Sequence, residues 1–202
     1  MTFLELQQEL LAVAAARFKE GQRASAKFWI NNRYAAVWGL EDWTFRKATG
    51  TITVTAGVAS APTDFGKPIG IWSSDGTRLS YVDPRDYYDA TVGTTLVTSP
   101  AFYTVVNGVV QIPVTSGTFT THYDKKLTLL NADGDVPALP VEHHYMLVHG
   151  ATYVGSVQVN DFTYQFAQQQ WQNNIDEMRQ NYLDDQIGEP QQWGSYMDVS
   201  RQ

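Results

Sequence analysis

Three of the four histidines in the sequence lie close together. His143, His144 and His149 lie in the stretch EHHYMLVHG, residues 142–150. A metal site on one helix needs ligands spaced three or four residues apart, so that they share a face. Here His149 follows His144 by five residues and His143 by six, so the ring nitrogens would diverge. We therefore predict no metal site.

An acidic stretch, NADGDV at residues 131–136, has a composition that suits calcium. An EF-hand loop places acids at alternate positions, glycine at the sixth and glutamate at the twelfth. In this chain Gly134 separates Asp133 from Asp135, and Pro137 follows almost at once. The spacing favours a plain connecting loop.

Signatures of other common active sites are missing from the sequence. The stretch GKPIG, residues 66–70, lacks the spacing and the Lys-Ser/Thr ending of a phosphate-binding loop, and no G-x-S-x-G motif occurs. Cysteine is absent, which removes disulfides, thiolate ligands and cysteine nucleophiles. Asp83 and Asp86 flank Arg85, as is typical of a turn with paired charges. We predict no catalytic residue, no cofactor and no enzymatic activity.

Aromatic residues make up 13% of the chain and leave two interpretations open. Six of them lie in its Thr- and Val-rich middle and could form a platform for a carbohydrate: Trp72, Tyr81, Tyr87, Tyr88, Phe102 and Tyr103. Alternating aromatics in strands are also ordinary core or cross-strand pairs. The pairing interpretation is favoured, and a binding module for a carbohydrate or receptor is the alternative.

The charge of the chain argues against two classes of partner. The formal net charge is −7, and beyond Lys126 only Arg179 and Arg201 are basic, against ten acidic residues. Nucleic-acid binding needs a basic surface, and anionic membranes attract basic segments. We expect neither specific DNA binding nor membrane association. The acidic start MTFLELQQEL is unlike a signal peptide, so synthesis in a cytoplasm is expected.

Amphipathic helices are predicted at the start of the chain. Thr2 and Glu5 form a capping box for a first helix over about residues 3–18. A second helix should span about residues 24–40, because apolar residues recur there at helical spacing and Gly39 suits its end.

A second pair of helices is predicted near the other end. Pro140 suits the first position of a third helix, whose inward face would carry Val141 and Tyr145 and leave His143 in solvent. The fourth helix has regular i, i+3, i+4 apolar spacing, at Tyr164, Ala167, Trp171, Ile175, Met178 and Tyr182.

The segment between the helix pairs is predicted to form five to seven antiparallel strands. TITVT at residues 51–55 alternates with period two, and 69–82 reads as a hairpin around an Asp-Gly turn. The stretch 102–114 is a stronger hairpin, since Asn107 and Gly108 tolerate the positive φ angles of a type I′ turn.

The predicted fold class is α+β. Neither helix pair can cover its own apolar stripe, so the four helices are expected to close into one bundle with the β part extruded from it. The predicted division is residues 1–45 plus 138–185 for the helical bundle, 46–137 for the inserted antiparallel β domain and 186–202 for an extended C-terminal arm.

The stretch INNRYAAVWGLEDWTF, residues 30–45, is predicted to join the second helix to the β insert. Its structural residues are Ile30, Asn31, Tyr34, Trp38 and Trp43. The apolar members should pack against the bundle, and the amide should bond to nearby backbone groups.

The C-terminal arm carries Trp193, Tyr196 and Met197 in a Gly- and Pro-containing segment that has no periodicity. Leaving such side chains in water forfeits roughly 1.5–3 kcal/mol each. The arm should therefore fold back on its own bundle or anchor in another molecule, and the sequence alone leaves both open.

Several segments, taken in order, resemble the head–tail adaptor (connector) proteins of tailed bacteriophages, including the tail tubular protein A type. They are TFLELQQELL, WINNRYAAVWGLEDWTF, APTDFGKPIGIW, SSDGTRLSYV, VVNGVVQIPV and HYDKKLTLLNADGDVPALP. The resemblance spans almost the whole chain, except for residues 84–101, which match no part of the pattern.

This resemblance implies a structural virion protein at the head–tail interface. It would bind below the portal as a twelve-fold ring, extend the channel for passing double-stranded DNA and support the next tail component, a stopper, nozzle or tail tube. The arm would contact the portal or a neighbouring subunit. The polar fourth helix would meet the neighbour through Gln165, Gln168, Gln169, Gln172 and Asn173. The alternative is a phage tail β-domain that recognises a carbohydrate or receptor.

Overall fold

The computed structural model describes residues 1–13, 23–55, 57–91, 100–158 and 164–183. The helices of these residues are α1 Phe3–Val13, α2 Arg23–Trp38, α3 Pro84–Thr91, α4 Met146–Gln158 and α5 Tyr164–Tyr182. The strands are β1 Lys47–Thr55, β2 Val58–Ser60, β3 Phe65–Trp72, β4 Ser80–Tyr81, β5 Phe102–Val106, β6 Val109–Gln111 and β7 Ser116–Lys125.

The start of α1 confirms the predicted capping box. The Glu5 N–H donates to Thr2 Oγ1 at 3.3 Å, and the Thr2 N–H donates to Glu5 Oε2 at 2.8 Å. The acidic loop satisfies two further free N–H groups of the first turn. Phe3 N–H donates to the Asp135 carbonyl at 2.7 Å, and Leu4 N–H donates to the Asp133 carbonyl at 2.9 Å. The loop therefore fixes the helix through its backbone.

A four-stranded antiparallel sheet, in the order β2-β1-β7-β3, carries the core of the β part. β1 and β7 pair along their whole lengths, from Lys47 opposite Asp124 to Thr55 opposite Ser116. Ile52 and Val54 on β1 are buried while the intervening threonines are exposed, because side chains alternate between the two faces of a strand.

A smaller three-stranded sheet has the order β4-β5-β6. Asn107 and Gly108 have φ angles of 52° and 78° in the turn between β5 and β6, which confirms the predicted hairpin. β4 pairs with β5 in parallel, with Ser80 opposite Phe102. This short parallel pair is the exception among the described strands, whose other pairings are antiparallel as predicted.

A short helix, α3, replaces the turn predicted around residues 83–86. Asp83 is its N-cap, since its Oδ1 accepts the Arg85 N–H at 3.0 Å, and Pro84 takes the first helical position. These cap residues are a recognisable sequence signal. The helix has only eight residues, too few to show a clear apolar period.

The predicted four-helix bundle is wrong: the described residues contain five helices and a curled antiparallel half-barrel, and the helices do not close into a bundle. The reason lies in α4, which packs against α1, α2 and α5. Its buried residues face several directions and include small ones: Met146, Leu147, Val148, Gly150, Ala151, Thr152, Gly155 and Ser156. A helix buried around most of its circumference becomes the centre of the group instead of one of four equal members.

The described residues contain two apolar cores. One gathers α1, α2, α4 and α5 around Phe3, Trp43 and Met146, and includes Leu130 and Leu139 from the segment after β7. The other lies within the β part, around Ile52 and Phe119. The division of the chain into domains stays a prediction.

Candidate assembly surfaces

The stretch 30–45 lies where α2 meets the first strand. Ile30, Tyr34 and Trp38 face the helical core and are buried. Trp43 is fully buried, and its indole N–H donates to the Val37 carbonyl at 2.7 Å. The ring therefore ties the chain after α2 back onto the last turn of that helix.

Asn31 on α2 binds the segment that follows β7. Its Nδ2 donates to the Leu130 carbonyl at 2.8 Å, and the Leu130 N–H donates to its Oδ1 at 2.9 Å. Three residues later, the hydroxyl of Tyr34 accepts the Ala138 N–H at 2.9 Å. Burial raises the pKa of this tyrosine, so the hydroxyl stays neutral. The α2 helix thus fixes residues 130–138 through their backbone.

The end of α5 is clamped to the same region. Arg179 donates to Glu41 Oε1 from both Nε and Nη2, at 3.0 and 2.8 Å. Tyr182 packs edge-on against Phe45, with ring centroids 5.9 Å apart, and its hydroxyl donates to Glu142. That hydrogen bond holds the pKa of Glu142 below its usual value. These bonds hold the end of α5 in place, so that Leu183 forms a β-bridge with Trp43.

The outward face of α5 carries the predicted subunit-interface residues. Gln165, Gln168, Gln169, Gln172 and Asn173 are all exposed. Phe166 lies among them and is 66% exposed. The Gln172 amide donates to Asp176 Oδ1 at 3.1 Å, so part of this face is already ordered. Their role at an interface stays a prediction.

The sequence suggests that Arg33 pairs with an acidic residue of another helix, whereas the structure places it against aromatic rings. The Arg33 guanidinium on α2 lies 5.4 Å from the ring centroid of Tyr153 on α4 and 5.6 Å from that of Trp171 on α5. Such cation–π contacts favour arginine over lysine. Within the described ranges Arg33 has no carboxylate partner, and burial lowers the pKa of its guanidinium. The indicative signal was a charged residue inside an otherwise apolar run.

Gly150 makes room for this stack. A Cβ at this position would overlap with the Trp171 ring and reach 3.0 Å from Arg33 Cγ. We expect Gly150→Ala to lower the free energy of unfolding by about 1–3 kcal/mol, because the overlap outweighs the gain in helix propensity. Denaturant unfolding measures this change.

Two further variants make the result specific to the α4–α5 contact. Gly134→Ala is the control, since a Cβ there meets nothing within 4 Å. Adding Trp171→Ala to Gly150→Ala removes the overlapping ring, so it should cost less than the two single losses combined. If the double variant loses as much stability as the two single variants added together, the overlap with Trp171 is not the cause of the loss in Gly150→Ala.

The histidines contradict the predicted helix phase. His143 and His144 are buried, whereas Val141 is 72% exposed and Tyr145 is 38% exposed. The reason is local: residues 141–143 form a 3₁₀ turn before α4 begins at Met146. A 3₁₀ turn rotates about 120° per residue and an α-helix about 100°, so a single helical phase cannot describe both.

The pH dependence of stability follows from two histidines, the buried His144 and the half-buried His149. Burial lowers the pKa of both His144 and His149. The unfolded chain then binds protons near its ordinary pKa of roughly 6.5 while the folded chain resists them, so stability is full above that pH and falls below it. We expect urea unfolding to show lower stability at about pH 5.5 than at about pH 7.5. His149→Gln should reduce the difference, and an unchanged slope would contradict the assignment.

No group that could hold a metal ion occurs in the described residues. The acidic loop uses its side chains internally, since Asp135 Oδ2 accepts the N–H groups of Asn131 and Ala132 at 2.7 and 2.8 Å. His144 Nε2 lies 2.9 Å from the Leu139 carbonyl oxygen. These contacts give both stretches a structural role.

The aromatics of the β part do not share one exposed face. Tyr87 and Tyr103 are buried, and Tyr87 packs edge-on against Phe102. Trp72 packs against His122 and carries Arg78 on its ring. Tyr81 and Tyr88 alone among the six are strongly exposed. The arrangement fits the pairing interpretation better than a continuous platform.

Residues 1–198 match the SU10 adaptor protein family. The chain belongs to this family. Because the match covers almost the whole sequence, it includes the helices, the β part and most of the arm. The predicted resemblance to phage head–tail adaptors is confirmed at the level of the family. No curated protein matches the chain significantly.

Membership of the SU10 adaptor family indicates a structural adaptor role in a bacteriophage and a place in the virion. None of the described helices of this adaptor is long and apolar enough to cross a bilayer. The predicted arm residues Trp193, Tyr196 and Met197 lie outside the described residues. Their role in binding stays a prediction.

Proposed function

We propose that this SU10 adaptor binds below the portal as a ring of twelve subunits. The ring extends the DNA channel and carries the next tail component, which is a stopper, nozzle or tail tube. The family match over residues 1–198 is the observation that supports this role. The protein works through shape and sequential binding, with no catalytic step.

The exposed face of α5 supports the contact between subunits. Its amides can donate and accept hydrogen bonds across an interface, and Phe166 offers an apolar centre among them. In a ring this face meets a different face of the neighbouring subunit, and uncharged amides can hydrogen-bond to it without strong repulsion. The arm supplies a second contact, to the portal or to the neighbouring subunit.

The net charge of −7 suits a channel through which DNA passes without binding. Phosphates find few cations on an acidic wall, so DNA slides instead of adhering. Filter binding of the assembled ring to double-stranded DNA at physiological salt should show no specific affinity.

Mixing the purified protein with portal rings tests the proposal. Electron microscopy should show a second ring beneath the portal, with the same rotational symmetry. The ring should weaken when Phe166 is replaced by aspartate, whereas Val58→Asp, on an equally exposed β-strand residue, serves as the control. Absence of any ring complex, together with absence of the protein from virions, would refute the role.

Deletion of residues 186–202 is expected to leave the folded protein intact and impair its incorporation. Both described cores are built from residues that precede the arm, so we expect them to persist without it. Far-ultraviolet circular dichroism should match that of the full chain, while the amount bound to portal rings falls by tenfold or more, roughly the loss of one anchor. An unfolded truncated chain would instead place the arm in the core.

A second candidate function rests on a groove in the β part. Tyr81 and Tyr103 pack edge-on, with centroids 5.7 Å apart, and line a groove of about 360 Å³ with Pro68 and Lys67. An aromatic groove of this size could hold one sugar ring. A glycan screen tests it, and binding that is lost in Tyr81→Ala would favour a receptor-binding module.

A further inference from the structure

A groove lies between α2 and the segment that follows β7. Its volume is about 320 Å³, and Tyr34, Trp38, Leu130 and Ala138 contribute to its walls. Two further lining residues, Leu129 and Val136, are 51% and 56% exposed. The Leu129–Val136 groove therefore leaves apolar area in water, in a space suited to one or two large side chains.

Among the charged residues at this groove, Lys126 is available to pair with a carboxylate. Asp64 accepts the Tyr123 hydroxyl at 2.7 Å, and Asp135 accepts two backbone N–H groups. Lys126 is exposed and has no ion pair within the part of the chain that the structure describes. An occupant with an apolar anchor and nearby carboxylates would complement the Leu129–Val136 groove.

We propose that the C-terminal arm of the same chain occupies the Leu129–Val136 groove in the free protein, with Trp193 as its anchor. The arm has the required chemistry. Its large apolar residues are flanked by Glu189 and Asp198, and Arg201 is its single basic residue.

The chain connection makes this docking geometrically accessible. Trp38, a wall of the groove, lies 6.1 Å from Phe45 between ring centroids, and Phe45 lies 5.9 Å from Tyr182. The groove is thus two ring contacts from the last turn of α5. Trp193 follows Leu183 by ten residues, which span at most about 33–36 Å when extended.

Tethering also favours this occupant over a second copy. A segment held by a short linker has an effective concentration in the millimolar range, far above that of a dilute free protein. A weak site is therefore filled by its own arm first. In the proposed function the same arm later binds the portal or a neighbour, so assembly would exchange one partner of Trp193 for another.

Engineered cysteines test the proposal, because the native chain has none. The full chain with Leu129→Cys and Ser195→Cys should form an intrachain disulfide under mild oxidation, detected by mass spectrometry of the monomer. Adding Trp193→Ala should slow the reaction roughly tenfold or more, as expected for the loss of one buried aromatic anchor. Lys126→Glu should slow it less, and added salt should reduce that second effect.

A matched pair gives the background rate. Val58→Cys with Ser195→Cys places the first thiol on β2 at a residue that is 70% exposed, outside the groove. Equal rates for both pairs, or a disulfide only between chains, would overturn the proposal. A methyl NMR spectrum gives an independent check: Trp193→Ala should shift the signals of Leu129 and Val136 but leave Val58 unchanged.

This experiment contains no portal, so its result is separate from that of the ring assay. If the methyl signals of Leu129 and Val136 do not shift in Trp193→Ala, the docking proposal is refuted, but the proposed adaptor role is unaffected. If the arm docks but the protein forms no ring with the portal, the docking proposal stands and the proposed adaptor role fails.

Discussion

Replacing Trp43 with alanine is expected to lower the free energy of unfolding by about 3–5 kcal/mol, the usual cost of removing a large buried aromatic. The side chain is fully buried, and its indole N–H donates to the Val37 carbonyl at 2.7 Å. It also stacks on Phe45, with centroids 5.8 Å apart. The variant loses apolar burial, a hydrogen bond and this stack at once. Chemical denaturation with an unchanged m-value would measure the loss.

Two companion variants divide the effect. Trp43→Phe retains most of the buried ring but cannot donate to Val37, so its cost should be smaller. Phe166→Ala removes a large aromatic that is 66% exposed, and its effect should stay within about 0.5 kcal/mol. Equal losses for Trp43→Ala and Phe166→Ala would show that burial at the junction is not what stabilises the helical core.

Local signals were sufficient wherever neighbouring residues determine the structure. Thr2 and Glu5 form the predicted capping box, and Asn107 and Gly108 adopt the predicted turn. Each depends on a few consecutive residues, whose hydrogen bonds or φ angles are intrinsic to their type. The order of most helices and strands follows from the same kind of information, but α3 and β2 were not predicted, and β4 pairs with β5 instead of forming the predicted hairpin with β3.

The arrangement of the helices depended on information that the sequence pattern does not carry. Gly150 is inconspicuous in the sequence, yet it lets Trp171 approach α4 and Arg33. The apolar stripe of α5 specifies that one face is buried, but not which helix covers it. A four-helix bundle was the simplest arrangement to predict. The small residues of α4 instead let α1, α2 and α5 pack around it.

The histidines show how a boundary error propagates. A continuous helix from Pro140 would turn Val141 inward, whereas the 3₁₀ turn before Met146 buries His143 and His144 instead. The buried side chains of this stretch could not be identified without that turn. The functional interpretation was less sensitive, because it rested on segments spread over the whole chain, and the family match confirms it at that level.

Asn31 and Asn32 are adjacent in the sequence, and their replacement by alanine is expected to have different effects. Asn31→Ala removes both hydrogen bonds to the Leu130 backbone. The N–H and carbonyl of Leu130 then lack these partners, which should lower the free energy of unfolding by about 1–3 kcal/mol. Asn32 is exposed on the same helix, so Asn32→Ala should change stability by no more than about 0.5 kcal/mol.

The adjacent pair controls for helix propensity, because both substitutions replace asparagine with the best helix former in the middle of α2. The difference between them therefore reports the contact with residue 130 alone. Hydrogen exchange gives the site-specific test: the Leu130 amide should exchange faster in Asn31→Ala and normally in Asn32→Ala. If both variants have equal stability and the Leu130 amide stays protected, the bond between α2 and the segment after β7 does not support the fold, and the groove wall built from that segment would need another anchor.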